Sequence, residues 1–181
     1  IKLSPSSTLS QSAPAAITQQ AKKINIYNQM AQVLVGFDEN GAVREFDDDG
    51  DLSGGTKMRE VFFINFARLS KDEIKKGSFE LSLGVSGTFG TPFGGPANKM
   101  VLRLTDYSGS SGYKVNSPAG EYGVLYATGS LNGVGQPLAS PDNNQRAKAG
   151  LVFYQAGIAV LTASIFNGQG RTTLANGLMD C

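Results

Sequence analysis

The chain contains no histidine and no tryptophan, and its one cysteine, Cys181, is its last residue. Without histidine it lacks the commonest general base, the usual proton shuttle and the most frequent zinc ligand. A nucleophilic triad has no imidazole to complete it, and no Gly-x-Ser-x-Gly phrase presents a serine. A single cysteine can form neither an internal disulfide nor a thiolate cluster, and at a chain end it reads as a spectator thiol. Net charge is also nearly absent. Lys and Arg total 16 against 15 Asp and Glu, a balance of +1 that gives no field to draw in nucleic acid or an anionic membrane surface. No apolar run reaches the length of a membrane span, and no positively charged, apolar, small-residue leader is present. No Gly-Lys-Ser/Thr or GxGxxG phrase offers a phosphate cradle. Two acids meeting from distant strands could still serve glycoside chemistry. Most acids, however, sit in the turns of Asp38 to Asp51 or at Asp72 and Glu73, positions explained by solvation and capping. The expectation is a non-enzymatic chain that needs no cofactor.

What the sequence does hold is material for strands. Hydrophobic residues make up 40%, enough for a proper core, and 23 glycines without a collagen period fit many short strands and turns. The most apolar run is Gly150 to Phe166, GLVFYQAGIAVLTASIF. Its β-branched and aromatic residues suit a pleated surface, and Gly157 can take the positive φ of a tight reversal. A hairpin of Gly150 to Tyr154 and Ile158 to Ile165, buried on both faces, is predicted at the centre of a sheet.

Residues 1–14 are rich in Ser, Pro and Gln and read as an extended arm that orders only on a neighbouring subunit. Residues 15–30 carry Ile17, Ala21, Ile24 and then Tyr27 or Asn28 at helical spacing, a pattern that Ala31 continues, with Pro14 near the first turn, and predict one docked N-terminal helix. Residues 31–166 predict the main domain, an antiparallel β-sandwich or jelly-roll-like fold. Its expected parts include a hairpin of Gln32 to Phe37 with Ala42 to Phe46, a buried strand over Glu60 to Leu69, whose length also allows a helix, and strands over Ser78 to Ser86, Met100 to Thr105 and Glu121 to Thr128. In Ser78 to Ser86 the alternation sets Phe79, Leu81, Leu83 and Val85 on one face, toward a core. Ser70 and Glu73 spell a capping box for a short helix near residues 71–76. Residues 167–181 return to loop composition, a tail or linker to further chain. The absence of an initiating methionine adds to the expectation of a segment of a longer or processed polypeptide.

Three places could carry chemistry or contacts. Aligned on the calcium loop of an EF-hand, Gly50 takes the sixth place and Glu45, Asp47 and Asp49 the first, third and fifth. Thr56 then stands where a bidentate Glu belongs, so the stretch reads first as a solvated acidic turn, with Glu45, Asp47 and Asp49 the candidate ligands of a weak surface cation site. The loop GTFGTPFGGPAN offers Phe89 and Phe93, either as partner anchors or tucked beneath the loop. With Tyr107 and Tyr113 they form the candidate contact set for a partner or a carbohydrate.

Lys71 to Val85, Tyr113 to Tyr126 and Gly150 to Phe166, together with Lys23 to Phe46, resemble virion structural proteins of contractile-tailed phages that infect marine cyanobacteria. The resemblance covers about half the chain and is one of phrase and order. It implies a non-enzymatic component of the virion, in the tail, baseplate or fibres, assembled in the host cytoplasm with other virion proteins and copies of itself. A capsid-associated decoration protein, or a carbohydrate- or receptor-binding module for a host-surface glycan, are the alternatives. The resemblance carries no functional residues to particular positions.

Overall fold

A computed structural model of the chain describes residues 14–66, 73–84, 101–128 and 147–166. One helix, α1 (Pro14–Leu34), precedes seven strands: β1 (Val61–Asn65), β2 (Glu80–Gly84), β3 (Val101–Thr105), β4 (Lys114–Ser117), β5 (Gly120–Thr128), β6 (Ala147–Phe153) and β7 (Ile158–Thr162). A 3-10 turn at Ala163–Phe166 follows. All strand pairs are antiparallel, in the order β1-β7-β6-β5-β3-β2, with β4 beside the first half of β5. The mainly β, antiparallel architecture with one N-terminal helix is therefore as expected, and its two packing layers come from one sheet that curls. The rings of Phe66, just after β1, and Phe79, just before β2, meet at 5.4 Å, so the two ends of the strand order approach each other.

Both faces of the sheet are buried. The inner, concave face gathers Leu102, Leu104, Leu125, Ala127, Val152, Tyr154, Ala159 and Leu161, with Phe62, Ile64, Leu81 and Leu83 from the end strands. The outer face places Tyr122, Val124, Leu151, Phe153 and Val160 against Tyr27, Ala31 and Leu34 of α1 and against Phe46 and Met58. The β6–β7 hairpin is thus central and two-sided, as its composition requires. It reverses at Gly157, φ +65°, whose amide donates to the Phe153 carbonyl.

One irregularity sets which residues face which way. Leu125 pairs with Gly150 but Tyr126 pairs with Lys148, so Ala149 is an extra residue in β6. Before the bulge Ala147 and Ala149 point inward; after it Leu151 and Phe153 point outward. Gly150 sits at φ +152°, and a Cβ there would collide with the Val160 carbonyl oxygen.

Three expectations need correction. The helix runs to Leu34, not to residue 30, and so takes up part of the strand expected at Gln32 to Phe37. Ala31 and Leu34 continue the buried stripe begun by Tyr27, and that packing outweighs the strand preference of Val33 and Val35. The chain leaves the helix at Gly36, φ +77°, and Ser117 Oγ caps the Leu34 carbonyl. Of the hairpin that was to follow, only the Phe37–Val43 bridge forms, around a turn in which Asp38 Oδ1 accepts from the amides of Asn40 and Ala42. The short helix near 71–76 is absent over its described part, residues 73–76. There the Ile74 amide donates sideways to the Tyr154 carbonyl, and the Gly77 and Phe79 amides donate to Asp106. Such lateral bonds replace helical ones. The arm, apart from Pro14, and the tail at 167–181 lie outside the described residues. No helix among the described residues is long and apolar enough to cross a membrane.

Candidate functional site

The acidic stretch is a closed loop with a neck. The Met58 amide donates to the Phe46 carbonyl at 2.8 Å, and Asp47 bridges Lys57 just beyond it. Tyr27, reaching down from α1, fastens this neck: its hydroxyl donates to Met58 O at 2.9 Å and accepts from Phe46 N at 3.2 Å. Its ring packs edge-on against Phe46. Burial pushes the Tyr27 hydroxyl up to about 12, because a phenolate there would lose its hydration. On the far side, the Tyr122 hydroxyl lies 2.7 Å from Gly50 O and Asn116 Nδ2 donates to Asp51 O, tying the loop to the β4–β5 hairpin. Burial raises the Tyr122 hydroxyl as well.

Within the loop Asp47, Asp48 and Asp49 bring carboxylate oxygens within 4.8 Å of one another. The cations of the chain already serve them. Lys57 Nζ lies 2.5 Å from Oδ2 of Asp47, whose side chain is fully buried, and Oδ1 takes the Asp49 amide. Lys148 Nζ stands 3.7 Å from Asp48 and 4.0 Å from Asp49. Partial burial lifts the Asp48 carboxyl above its usual range, opposed by Lys148. Glu45, the first residue of the predicted cation set, is elsewhere: it pairs with Arg59 at 3.0 Å. The structure therefore joins Asp47 and Asp49 of that set and replaces Glu45 with Asp48. Where the EF-hand register put glycine at the sixth place, Gly50 does adopt φ +73°, but it turns the chain against Val124 and Tyr122 of β5.

A shallow cleft of about 270 Å³ opens beside the loop, rimmed by Asp48, Thr56, Lys57, Lys148, Thr162 and Ser164. Its walls alternate in charge, and the ammonium groups on its rim face carboxylates of the same loop.

A second polar cluster gathers around Asp106, beside Tyr154 of the inner face. Asp106, 1% exposed, accepts from Gly77 N at 2.6 Å, Phe79 N at 2.9 Å and the Tyr154 hydroxyl at 3.1 Å. These bonds hold the segment before β2 against the β6–β7 turn. Burial, followed by the Asp106 charge, raises the Tyr154 hydroxyl. No motif in the sequence marked this carboxylate, although an Asp at a strand end before Tyr-Ser-Gly is the kind of residue that gathers loop amides.

Of the candidate contact aromatics, Phe89 and Phe93 lie outside the described residues. Tyr107 is exposed and meets Tyr126 edge-on at 6.4 Å. Tyr113 lies beneath Lys76, whose Nζ is 4.7 Å from the ring centre and is also paired with Glu121. The two tyrosines stand at either end of the turn 106–113 and take different neighbours. Among the described residues, the exposed large apolar side chains that sequence reasoning passed over are Ile26 and Val33 on α1, Phe37 just past it, and Val115 on β4.

No protein-family model, curated protein or solved structure matches the chain.

Proposed function

We propose that the chain is a non-enzymatic building block of a tailed phage virion, held in the tail, baseplate or fibre assembly by contacts with other subunits and with copies of itself. The observation that carries this reading is how the polar groups are used. In both described clusters the buried carboxylates are engaged by amides, hydroxyls and ammonium groups of the same chain. The outward surface of α1, the turn after it and β4, in contrast, presents Ile26, Val33, Phe37 and Val115. A rigid sheet with internally satisfied polar groups and scattered apolar contacts outside suits a subunit made to be packed against. The phage assignment rests on the resembling phrases. Two of them, Tyr113 to Tyr126 and Gly150 to Phe166, fold into the β4–β5 and β6–β7 hairpins, of which β5, β6 and β7 are neighbours in the sheet and β4 lies beside β5 alone.

Mass-spectrometric inventory of separated heads and tails from purified particles tests the proposal. Stoichiometric recovery with the tail is expected, and absence from particles would overturn it. Recovery with heads would favour a capsid-associated role. Saturable glycan binding abolished by Tyr107→Ala or Tyr113→Ala would favour the carbohydrate-binding module instead.

A further inference from the structure

We propose that the outward face of α1 is a self-association surface, through which the chain pairs antiparallel with a second copy about a twofold axis near Gln29. This deepens the assembly reading and rests on it. The inward face of the helix is anchored by Tyr27, Ala31 and Leu34. Its outward face presents Lys22, Ile26, Gln29 and Val33, spaced four, three and four residues apart and hence aligned in one stripe. Ile26 is 48% and Val33 62% exposed, and Phe37, on the turn just past the helix, is 53% exposed.

The chemistry of the stripe selects a copy of itself as occupant. In an isologous contact residue i of one copy meets j of the other while j meets i. An antiparallel crossing centred near Gln29 places Ile26 of each copy on Val33 of the other, so both apolar positions are covered by one symmetric operation. The ends carry opposite charge: Lys22 and Lys23 lie before the apolar pair, and exposed Glu39 stands on the turn beyond it. Antiparallel pairing brings these together twice, whereas parallel pairing sets like charges side by side. Gln29, at the axis, has both a donor and an acceptor for its own symmetry mate. A single helix about 30 Å long buries little area, which fits a weak pair strengthened by repetition in a larger assembly.

Sedimentation equilibrium of the full 181-residue chain is the test. A concentration-dependent monomer–dimer equilibrium is expected, with Val33→Asp weakening it by about tenfold or more. Ile26→Lys, tested beside it, gives a second readout at another exposed position. Lys22→Glu alone should weaken the dimer, and combining it with Glu39→Lys should restore it. A chain that stays monomeric up to about 1 mM, the range of the weakest specific contacts, overturns the inference. So does a dimer indifferent to Val33→Asp and Ile26→Lys, or a charge reversal that fails to rescue. Recovery of the chain in purified particles bears on the assembly reading and is independent of these results.

Discussion

The Tyr154 hydroxyl donates to Oδ2 of Asp106 at 3.1 Å, joining residues 48 positions apart in the sequence. The same carboxylate takes the amides of Gly77 and Phe79, so one buried acid connects the β6–β7 turn, the end of β3 and the start of β2. Asp106→Asn puts an amide donor among these donors and should destabilise the chain by about 2–4 kcal/mol, the range for a buried charged acceptor that loses its bonds. Urea unfolding followed by circular dichroism measures it. A loss below about 0.5 kcal/mol, the scatter of neutral surface changes, would refute the structural role.

Lys57→Met leaves the buried Asp47 carboxylate without its ammonium partner. The expected loss is about 2–3 kcal/mol, below the usual cost of breaking a fully buried pair because Lys57 keeps some solvent contact. Changing Asp47 and Lys57 together to Asn and Met should recover part of that loss, and a double-mutant cycle reads the coupling.

Calcium should leave the melting temperature unchanged. Oδ2 of Asp47 is occupied by Lys57 and Oδ1 by the Asp49 amide, so a divalent ion must displace both. Calorimetric titration showing saturable heat at millimolar calcium would contradict this.

Alkaline pH should destabilise the chain through its buried tyrosines. Burial raises the Tyr27 hydroxyl from 10.0 to about 12, so between these values the folded state holds a proton that the unfolded state has released. The stabilising contribution is fully present below pH 10.0 and is lost as pH rises through about 12. Tyr122 and Tyr154 shift in the same direction for the same cause. Each group adds a slope of about 1.4 kcal/mol per pH unit within its window. Tyr27→Phe should cost about 1–2 kcal/mol at neutral pH by orphaning Met58 O and Phe46 N, and should flatten the alkaline slope. Unfolding curves at several pH values test both parts.

Much of the sheet was legible in the sequence. The Gly150 to Phe166 run announced a two-sided hairpin because its residues suit both faces, and the alternation of Phe79, Leu81 and Leu83 gave the inward side of β2. Strand β4 escaped notice because Lys114, Val115, Asn116 and Ser117 are mostly polar or exposed; its place comes from backbone pairing with β5 and from Ser117 capping α1. The end of α1 was misread because Val33, Val35 and Phe37 favour a strand locally, while the burial of Ala31 and Leu34 is a long-range fact. In the acidic loop, the charges were visible but their partners were not. Lys57 reaches Asp47 only because Phe46 and Met58 close the neck, and Lys148 reaches Asp48 from β6. A lysine beside an apolar residue on the far side of an acidic run is the signal that could have suggested the first pair.

The extra residue at Ala149 settles where one charge can live. Were β6 to keep a single phase from Phe153 back to Ala147, the Lys148 side chain would project among Leu104, Leu125 and Leu161, where an ammonium could not be hydrated. The slip at Gly150 turns it instead toward Asp48 and Asp49. A hydrogen atom in place of a methyl group deep in the sheet thereby decides the electrostatics of a loop that precedes it in the chain by about a hundred residues.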